Sequence, residues 1–212
     1  MFRYIAVGDS TGVGVGASSG GGYPERIYQA LKVDGVPIGI LNLAQSGAVS
    51  SDLVTGQLPR ASTRKPHLVT VGIGSNDVWR LVPEATFAQN VTAIADALAA
   101  TGAHVVVCNL IDLALTPAAA AAEAWVGLSR AAITERIRQL NRHFDALAAR
   151  RRFAVVDLFG FSQREVPSHP EYFCPDGFHP SSAGYERWAD LCMPAIKEAV
   201  RAQLEASSAP DR

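Results

Sequence analysis

Apolar residues fall into two kinds of pattern along this chain. Short, mainly apolar runs, which are typical of strands buried on both faces, occur at residues 4–7, 39–44, 68–71, 105–108 and 153–158. Longer stretches between them carry apolar residues every three or four positions, which predicts amphipathic helices. The clearest of these helices places four residues on one face and ends near Gly102; the four are Phe87, Val91, Ile94 and Leu98.

Three further helices are predicted, near residues 24–31, 133–147 and 181–196. Strands that alternate with helices predict an α/β fold in which a parallel sheet lies between two helical layers. We expect one domain over residues 1–212, with a frayed tail at residues 206–212. The alanine-rich stretch 116–123 is compatible with a helix or with a mobile cover.

Composition narrows the class of protein. The chain has 212 residues, of which 48% are hydrophobic and 18% charged, with a net charge of −1; this describes a compact globule without a bulk affinity for nucleic acid or anionic membranes. No apolar run approaches the roughly 20 residues of a membrane span. No signal peptide is recognisable, so a cytoplasmic location is expected unless a leader has been removed. The three cysteines form no zinc pattern and are expected to be reduced, mostly buried thiols.

The turn after the first predicted strand contains a candidate nucleophile. Gly8 allows the backbone to turn sharply, and Ser10 follows it at the carboxyl edge of the sheet, where open α/β folds keep their sites. Serine at such a position could equally be the N-cap of a helix. The distant parts of the chain have to decide between the two interpretations.

A serine nucleophile needs a base, usually histidine. His179 lies in a loop before the last helix, and Asp176 precedes it by three residues, so one loop could present both side chains. The carboxylate could then hold one ring nitrogen while the other faces the serine. A capping role for the pair at the last helix is the alternative. The other histidines weighed as bases, His67, His104 and His143, lie at strand starts or on a helix and are weaker candidates.

Donors for a developing oxyanion are also available at strand ends. The backbone N–H groups of Ser10 and Gly47 and the side-chain amide of Asn76 follow three different predicted strands. Since the carboxyl ends of parallel strands share one edge, these groups and His179 should converge on one cleft. Taken singly, Gly47 could belong to a plain turn and Asn76 to an Asx-turn.

In combination these blocks resemble the SGNH hydrolases, also called the GDSL esterase/lipase family. The resemblance is carried by residues 8–10, Gly47, residues 74–77 and residues 176–180, which span almost the whole chain. It implies a flavodoxin-like three-layer fold with a five-stranded parallel sheet. It also implies a catalytic triad of Ser10, His179 and Asp176 and an oxyanion hole from Ser10, Gly47 and Asn76. Thr11 replaces the leucine of the family's short name.

The resulting hypothesis is a serine hydrolase, free of metal and cofactor, that cleaves small carboxylic esters through an acyl-enzyme on Ser10. Thioesters, lysophospholipids and acetylated sugars are alternative substrates within the family. A catalytically inactive carbohydrate-binding relative is the non-enzyme alternative. The motif at residues 8–12 also fits the nucleophile elbow of α/β-hydrolases, but no strand precedes it. Nucleotide binding is disfavoured because the glycine-rich stretch lacks both common phosphate-binding spacings. The oligomeric state is left open.

Other residues near the candidate site are expected to have structural roles or to line the substrate cleft. Asp9 and Asp77 are expected to brace turns. Three rival acids for His179, namely Asp52, Asp112 and Asp157, rank below Asp176 because no short loop fixes their position relative to the ring. An apolar group near the predicted cleft could form an acyl-binding wall or simply pack under the loops; its members are Trp79, Leu81, Val82, Leu113, Leu115 and Trp125.

Overall fold

The computed structural model of the chain describes residues 1–208. The side chains of residues 122, 125, 126, 207 and 208, and all of residues 209–212, lie outside this description. Five parallel strands form one sheet in the order β2-β1-β3-β4-β5. The strands are β1 (Phe2–Gly8), β2 (Ile38–Asn42), β3 (Leu68–Gly72), β4 (His104–Cys108) and β5 (Ala154–Val156). The predicted α/β fold is confirmed.

Helices connect the strands and cover the sheet. The four longest correspond to the four helices predicted from apolar spacing. In chain order the helices are α1 (Ser10–Val13), α2 (Tyr23–Val33), α3 (Ser50–Asp52), α4 (Leu58–Ser62), α5 (Ser75–Trp79), α6 (Glu84–Ala99), α7 (Ala119–Val126), α8 (Arg130–Arg151), α9 (Leu158–Glu165) and α10 (Ser182–Ser208). A turn of π-helix, Leu53–Gln57, joins α3 to α4, and short 3-10 turns occur at Leu113–Leu115, Val166–Ser168 and Pro170–Tyr172.

Strand β1 shows why the sheet is buried on both faces. Successive side chains of a strand point to opposite sides, and Ile5 and Val7 belong to one apolar core while Tyr4 and Ala6 belong to the other. The first core packs under α6 and α8, and the second under α2 and α10. A strand with two buried faces has to be apolar at every position, which explains its continuous apolar run.

Three parts of the chain differ from the expectation. The fifth strand is three residues long, because Asp157 accepts a hydrogen bond from Gly160 N–H and starts helix α9 where a loop was expected. Residues 50–62 are helical although no periodicity predicted it. Helix α10 extends to Ser208, three residues into the predicted frayed tail, whose residues 209–212 lie outside the described part.

Residues 116–123, the alanine-rich stretch that the sequence allowed to be a helix or a mobile cover, contain the start of α7. None of the helices within residues 1–208 is long and apolar enough to cross a membrane.

The carboxyl ends of β1 and β3 meet where Gly8 pairs with Gly72. A Cβ atom on Gly8 would lie 2.2 Å from the Gly72 carbonyl oxygen, so only glycine allows the two strands to end side by side.

Candidate active site

Ser10 is the first residue of α1, directly after the turn that ends β1. The helix is capped by Asp9, whose Oδ1 accepts hydrogen bonds from the N–H of Thr11 at 2.9 Å and from its hydroxyl at 2.8 Å. The capping role that the sequence left open for Ser10 is therefore taken by its neighbour. The Ser10 side chain is almost buried, and its hydroxyl is directed to a partner from the far end of the chain.

That partner is His179, which lies 169 positions away in sequence. Its Nε2 atom is 3.0 Å from Ser10 Oγ, and its Nδ1 atom is 2.6 Å from Asp176 Oδ2. The other oxygen of Asp176 accepts the backbone N–H groups of Phe178 and His179 at 2.7 and 2.8 Å. Three side chains thus form one continuous chain of hydrogen bonds from a hydroxyl to a carboxylate.

The protonation of this chain follows from Asp176. Burial by itself would raise the pKa of Asp176, but hydrogen bonds from the His179 ring and from the two backbone N–H groups outweigh it and hold that pKa well below its usual range. An ionised carboxylate only accepts hydrogen bonds, so Nδ1 of His179 carries the hydrogen. In the neutral ring Nε2 is then an acceptor for the Ser10 hydroxyl.

The rival acids are engaged elsewhere. Asp52 accepts the Val49 N–H. Asp112 accepts from Ala114, Thr134 and Gln163. Asp157 caps α9. Each of these carboxylates therefore has a local structural partner.

Three of the other histidines have polar partners of their own, and the fourth lies at the opposite edge of the sheet. His67 contacts Arg3, His143 bonds Glu84 at 2.9 Å, and His169 bonds Glu171 at 2.7 Å. His104 begins β4, at the sheet edge opposite to Ser10. Within residues 1–208, His179 is the histidine whose ring meets the Ser10 hydroxyl.

Gly47 and Asn76 also reach this edge of the sheet. The turn after β2 is joined to β1 by a hydrogen bond from Gln45 N–H to the Gly8 carbonyl. Asn76 Nδ2 donates to the Ala48 carbonyl at 2.9 Å, which ties α5 to the residue after Gly47. An amide side chain carries two N–H hydrogens, so one remains for another acceptor. Gly47 has φ +78°, a backbone conformation that favours glycine.

Two features near Ser10 gave no signal in the sequence. Gln57, fully buried at the end of the π-helical turn, accepts from Gly8 N–H and donates to the Gly8 carbonyl, both at 2.8 Å. Gly16 lies against the His179 loop, where a Cβ atom would be 2.6 Å from the Pro180 carbonyl oxygen and 3.0 Å from His179 Cβ. Both contacts join parts of the chain that are remote in sequence.

A cavity of about 20 Å³ lies beside Ser10 and His179. Apolar side chains form most of its wall, namely Ile73, Leu110, Ile111, Leu113, Phe178 and Trp188. Of the wall predicted from sequence, Leu113 lines this cavity and Trp79 packs edge-on against Phe178 at 6.0 Å between ring centres. Leu115 packs into the second core and Leu81 is half-exposed, while the Trp125 side chain lies outside the described part.

Asp9 accepts hydrogen bonds within its own turn, whereas Asp77 accepts them from the start of α3, 27 positions away, and not from the turn it adjoins. Asp9 holds Thr11, and Asp77 accepts from Ser50 N–H at 2.9 Å and from the Ser50 hydroxyl at 2.5 Å. Among the side chains that the structure describes, no group of three or more His, Cys, Asp or Glu is arranged to hold a metal ion. Of the cysteines, Cys108 and Cys192 are buried and Cys174 is partly exposed; all three are free thiols.

The Asp9→Asn variant should gain stability relative to wild type as the pH rises from acidic to neutral. Burial raises the pKa of Asp9 from 3.8 to about 6, although hydrogen bonds from Thr11 oppose the shift. Between these pH values the folded state keeps a proton that the unfolded state has lost, so the free energy of unfolding falls as pH rises. The full effect of this pKa difference is about 3 kcal/mol. Asparagine keeps an acceptor for Thr11 and carries no charge.

Urea unfolding of both proteins over a pH series measures this effect. The stability of Asp9→Asn minus that of wild type should grow by about 3 kcal/mol across the window from pH 3.8 to about 6 and stay level above it. A difference that is constant over the series would contradict the burial of an ionisable carboxyl group at this position.

Comparisons with known proteins agree with this fold. The model of the GDSL-like lipase/acylhydrolase family matches residues 6–187. Esterase TesA of Pseudomonas aeruginosa is 25% identical over 193 residues, which cover 91% of this chain and 87% of that protein. A crystal structure of TesA has a TM-score of 0.74 at 24% identity and covers 93% of this chain and 99% of its own. A catalytic mutant of Axe2, an acetylxylan esterase from Geobacillus stearothermophilus, has a TM-score of 0.69 at 18% identity, with 92% and 94% covered.

Proposed function

Since the chain belongs to the GDSL-like lipase/acylhydrolase family and is an ester-hydrolysing enzyme, we propose that Ser10 is its nucleophile, His179 its general base and Asp176 the acid that orients His179. The observation that carries this assignment is the hydrogen-bond chain of 3.0 and 2.6 Å from Ser10 through His179 to Asp176. Because the chain is an ester-hydrolysing enzyme, the binding-only alternative is set aside.

In the proposed reaction, His179 Nε2 takes the Ser10 proton while Ser10 Oγ forms a bond to the ester carbonyl carbon. The tetrahedral intermediate then expels the alcohol, which leaves with the proton from His179. A water molecule repeats the sequence on the acyl-enzyme: His179 takes its proton, the carboxylic acid is released and Ser10 regains its hydrogen. Asp176 keeps the ring in the required tautomer and stabilises the positive charge that the ring acquires.

The carbonyl oxygen becomes negative in both steps and needs donors. We assign this role to the N–H groups of Ser10 and Gly47 and to the free N–H of Asn76 Nδ2. All three follow the carboxyl ends of neighbouring strands, β1, β2 and β3. Support for Asn76 comes from its bond to the Ala48 carbonyl, which leaves one amide hydrogen for substrate.

The substrate class that fits best is a small carboxylic ester with a short apolar acyl group. The cavity beside Ser10 is apolar, and its volume of about 20 Å³ accommodates only a small group. The relatives leave the leaving group open, since TesA is named an esterase and Axe2 an acetylxylan esterase.

A substrate panel tests this proposal. It consists of p-nitrophenyl esters of increasing acyl length, a matched thioester and an acetylated sugar. We expect kcat/KM to be highest for the acetyl ester and to fall as the acyl chain lengthens, because longer chains require the cavity wall to move. A maximum at long chains would contradict the short-acyl assignment. Preference for the thioester or the sugar would identify one of the alternative substrate classes.

Replacing Gly16 by alanine should lower kcat by about tenfold to 10²-fold, because the added methyl group would displace the His179 loop from Ser10. Gly16 also has φ +92°, which alanine rarely adopts. The measurement is kcat for a short ester, together with circular dichroism to establish that the variant is folded.

Gly56→Ala is the matched control for this change. No atom lies within 4 Å of a Cβ built on Gly56, so its activity should equal that of wild type. Equal activity of the Gly16 and Gly56 variants would show that the glycine-rich loop does not seat His179.

A further inference from the structure

Three of the residues 47–50, in and directly after the turn that follows β2, are held by side chains of α5 and of the residue after it. Arg80, the residue after α5, donates from Nη2 to the Gly47 carbonyl at 2.9 Å. Asn76 donates to the Ala48 carbonyl at 2.9 Å. Asp77 accepts from both the N–H and the hydroxyl of Ser50. We call residues 47–50 the anchored segment.

Gly47 has the greatest backbone conformational freedom of the anchored segment, because it is the segment's only glycine. It has no side chain, and its φ of +78° is one of several conformations open to glycine. Backbone hydrogen bonds within residues 1–208 do not engage its N–H group, which is left for an outside acceptor. Its carbonyl is held by the guanidinium of Arg80. This bond holds the peptide between Gly47 and Ala48, whose N–H is also bonded to the Gln45 carbonyl at 3.2 Å, and the two bonds together limit the rotations about Gly47 that would redirect its N–H.

Arg80 itself is exposed and forms no ion pair with the acidic side chains that the structure describes. Its hydrogen bond to Gly47 is the polar contact recorded for its side chain. An exposed arginine without an ion pair contributes little to folding stability. This leaves two uses for the guanidinium: positioning Gly47, or direct contact with a negatively charged substrate.

We propose that Arg80 is a positioning residue for ester hydrolysis, which acts by fixing Gly47 so that its N–H points at the developing oxyanion. The inference rests on the proposed function, because it requires the oxyanion to lie at Gly47. The hydrogen bond to a backbone carbonyl favours this role over substrate binding, since it already engages the guanidinium at Nη2. Arginine suits the task because its planar fork loses little freedom on bonding.

Arg80→Met removes the donor and keeps the length of the side chain. For neutral p-nitrophenyl acetate we expect kcat to fall about tenfold, less than the 10²- to 10³-fold expected on complete removal of a donor by Asn76→Ala. KM should change by less than about twofold, because a carbonyl oxygen bears its full negative charge only in the transition state. The melting temperature should be unchanged. Arg80→Lys, which can still donate one hydrogen bond, should recover part of the lost kcat.

A boronic acid inhibitor provides a readout that a purely structural role would not move. Boron accepts the Ser10 oxygen and becomes tetrahedral, which places a negatively charged oxygen where the oxyanion forms. Its inhibition constant should rise in Arg80→Met by the same factor by which kcat/KM falls. Arg60→Met is the control, because Arg60 is exposed on α4 and its side chain has no recorded contact at the site.

Three results would overturn the proposal. The first is unchanged kcat and boronate affinity in Arg80→Met. The second is a raised KM that appears only with an ester carrying a carboxylate on its acyl chain, which would make Arg80 a substrate-binding residue. The third is an equal loss in Arg60→Met. Failure of the proposed function looks different, since wild-type activity would then survive the loss of the Ser10 hydroxyl.

Discussion

Replacing Ser10 by alanine should lower kcat for ester hydrolysis by roughly 10⁴- to 10⁶-fold. The hydroxyl is the only group of this side chain that can form the acyl-enzyme, and His179 Nε2 lies 3.0 Å from it. The donors proposed for the oxyanion remain in the variant, so a small residual rate above the uncatalysed reaction is expected. Release of p-nitrophenolate, followed over hours at high enzyme concentration, measures both rates.

Two controls sharpen this prediction. Ser75 lines the same cavity but makes no recorded hydrogen bond to His179, so Ser75→Ala should retain a rate within about threefold of wild type. The double variant of Ser10 and His179 should be no slower than Ser10→Ala alone, because the two side chains act as a unit. Near-wild-type turnover by Ser10→Ala would remove Ser10 from the mechanism.

Replacing Asp176 by asparagine should lower kcat by about 10⁴-fold. The carboxylate accepts the Nδ1 hydrogen of His179 at 2.6 Å, and its lowered pKa keeps it ionised at neutral pH. An asparagine amide can turn its N–H₂ towards Nδ1, which would place the ring hydrogen on Nε2 and leave no acceptor for the Ser10 hydroxyl. The measurement is kcat together with circular dichroism, since the change preserves size.

Asp157→Asn is the matched comparison for Asp176→Asn. Asp157 also follows a strand and was a rival acid, but its carboxylate caps α9. We expect a modest loss of stability and an unchanged kcat. A small effect of Asp176→Asn with a large effect of Asp157→Asn would reverse the assignment of the orienting acid.

Much of the fold could be predicted from local pattern. Residues 4–7 of strand β1 had to be apolar because Tyr4 and Ile5 face two different cores. Helix α6 was predictable because Phe87 and Val91 recur at helical spacing and are buried. Helix α9 was missed: Asp157 begins it directly after a three-residue strand, and the apolar run through Leu158 concealed the boundary.

The residues of the candidate site could be named from the sequence. Residue types and positions made Ser10, Asp176 and His179 candidates, and the resemblance to the SGNH hydrolases implied that they form a triad. The structure places these three side chains within hydrogen-bonding distance. Their catalytic roles stay predictions until the variants above are measured.

The sequence by itself determined where the strands and the four longer helices occur and which reactive groups the chain carries, because periodicity and turn chemistry act over a few residues. Only the tertiary structure decided which of those groups meet. Gln57 reaches Gly8 across 49 positions, and Arg80 reaches Gly47 across 33. Such contacts depend on how the helices pack against the two faces of the sheet, and that geometry is a property of all the layers together.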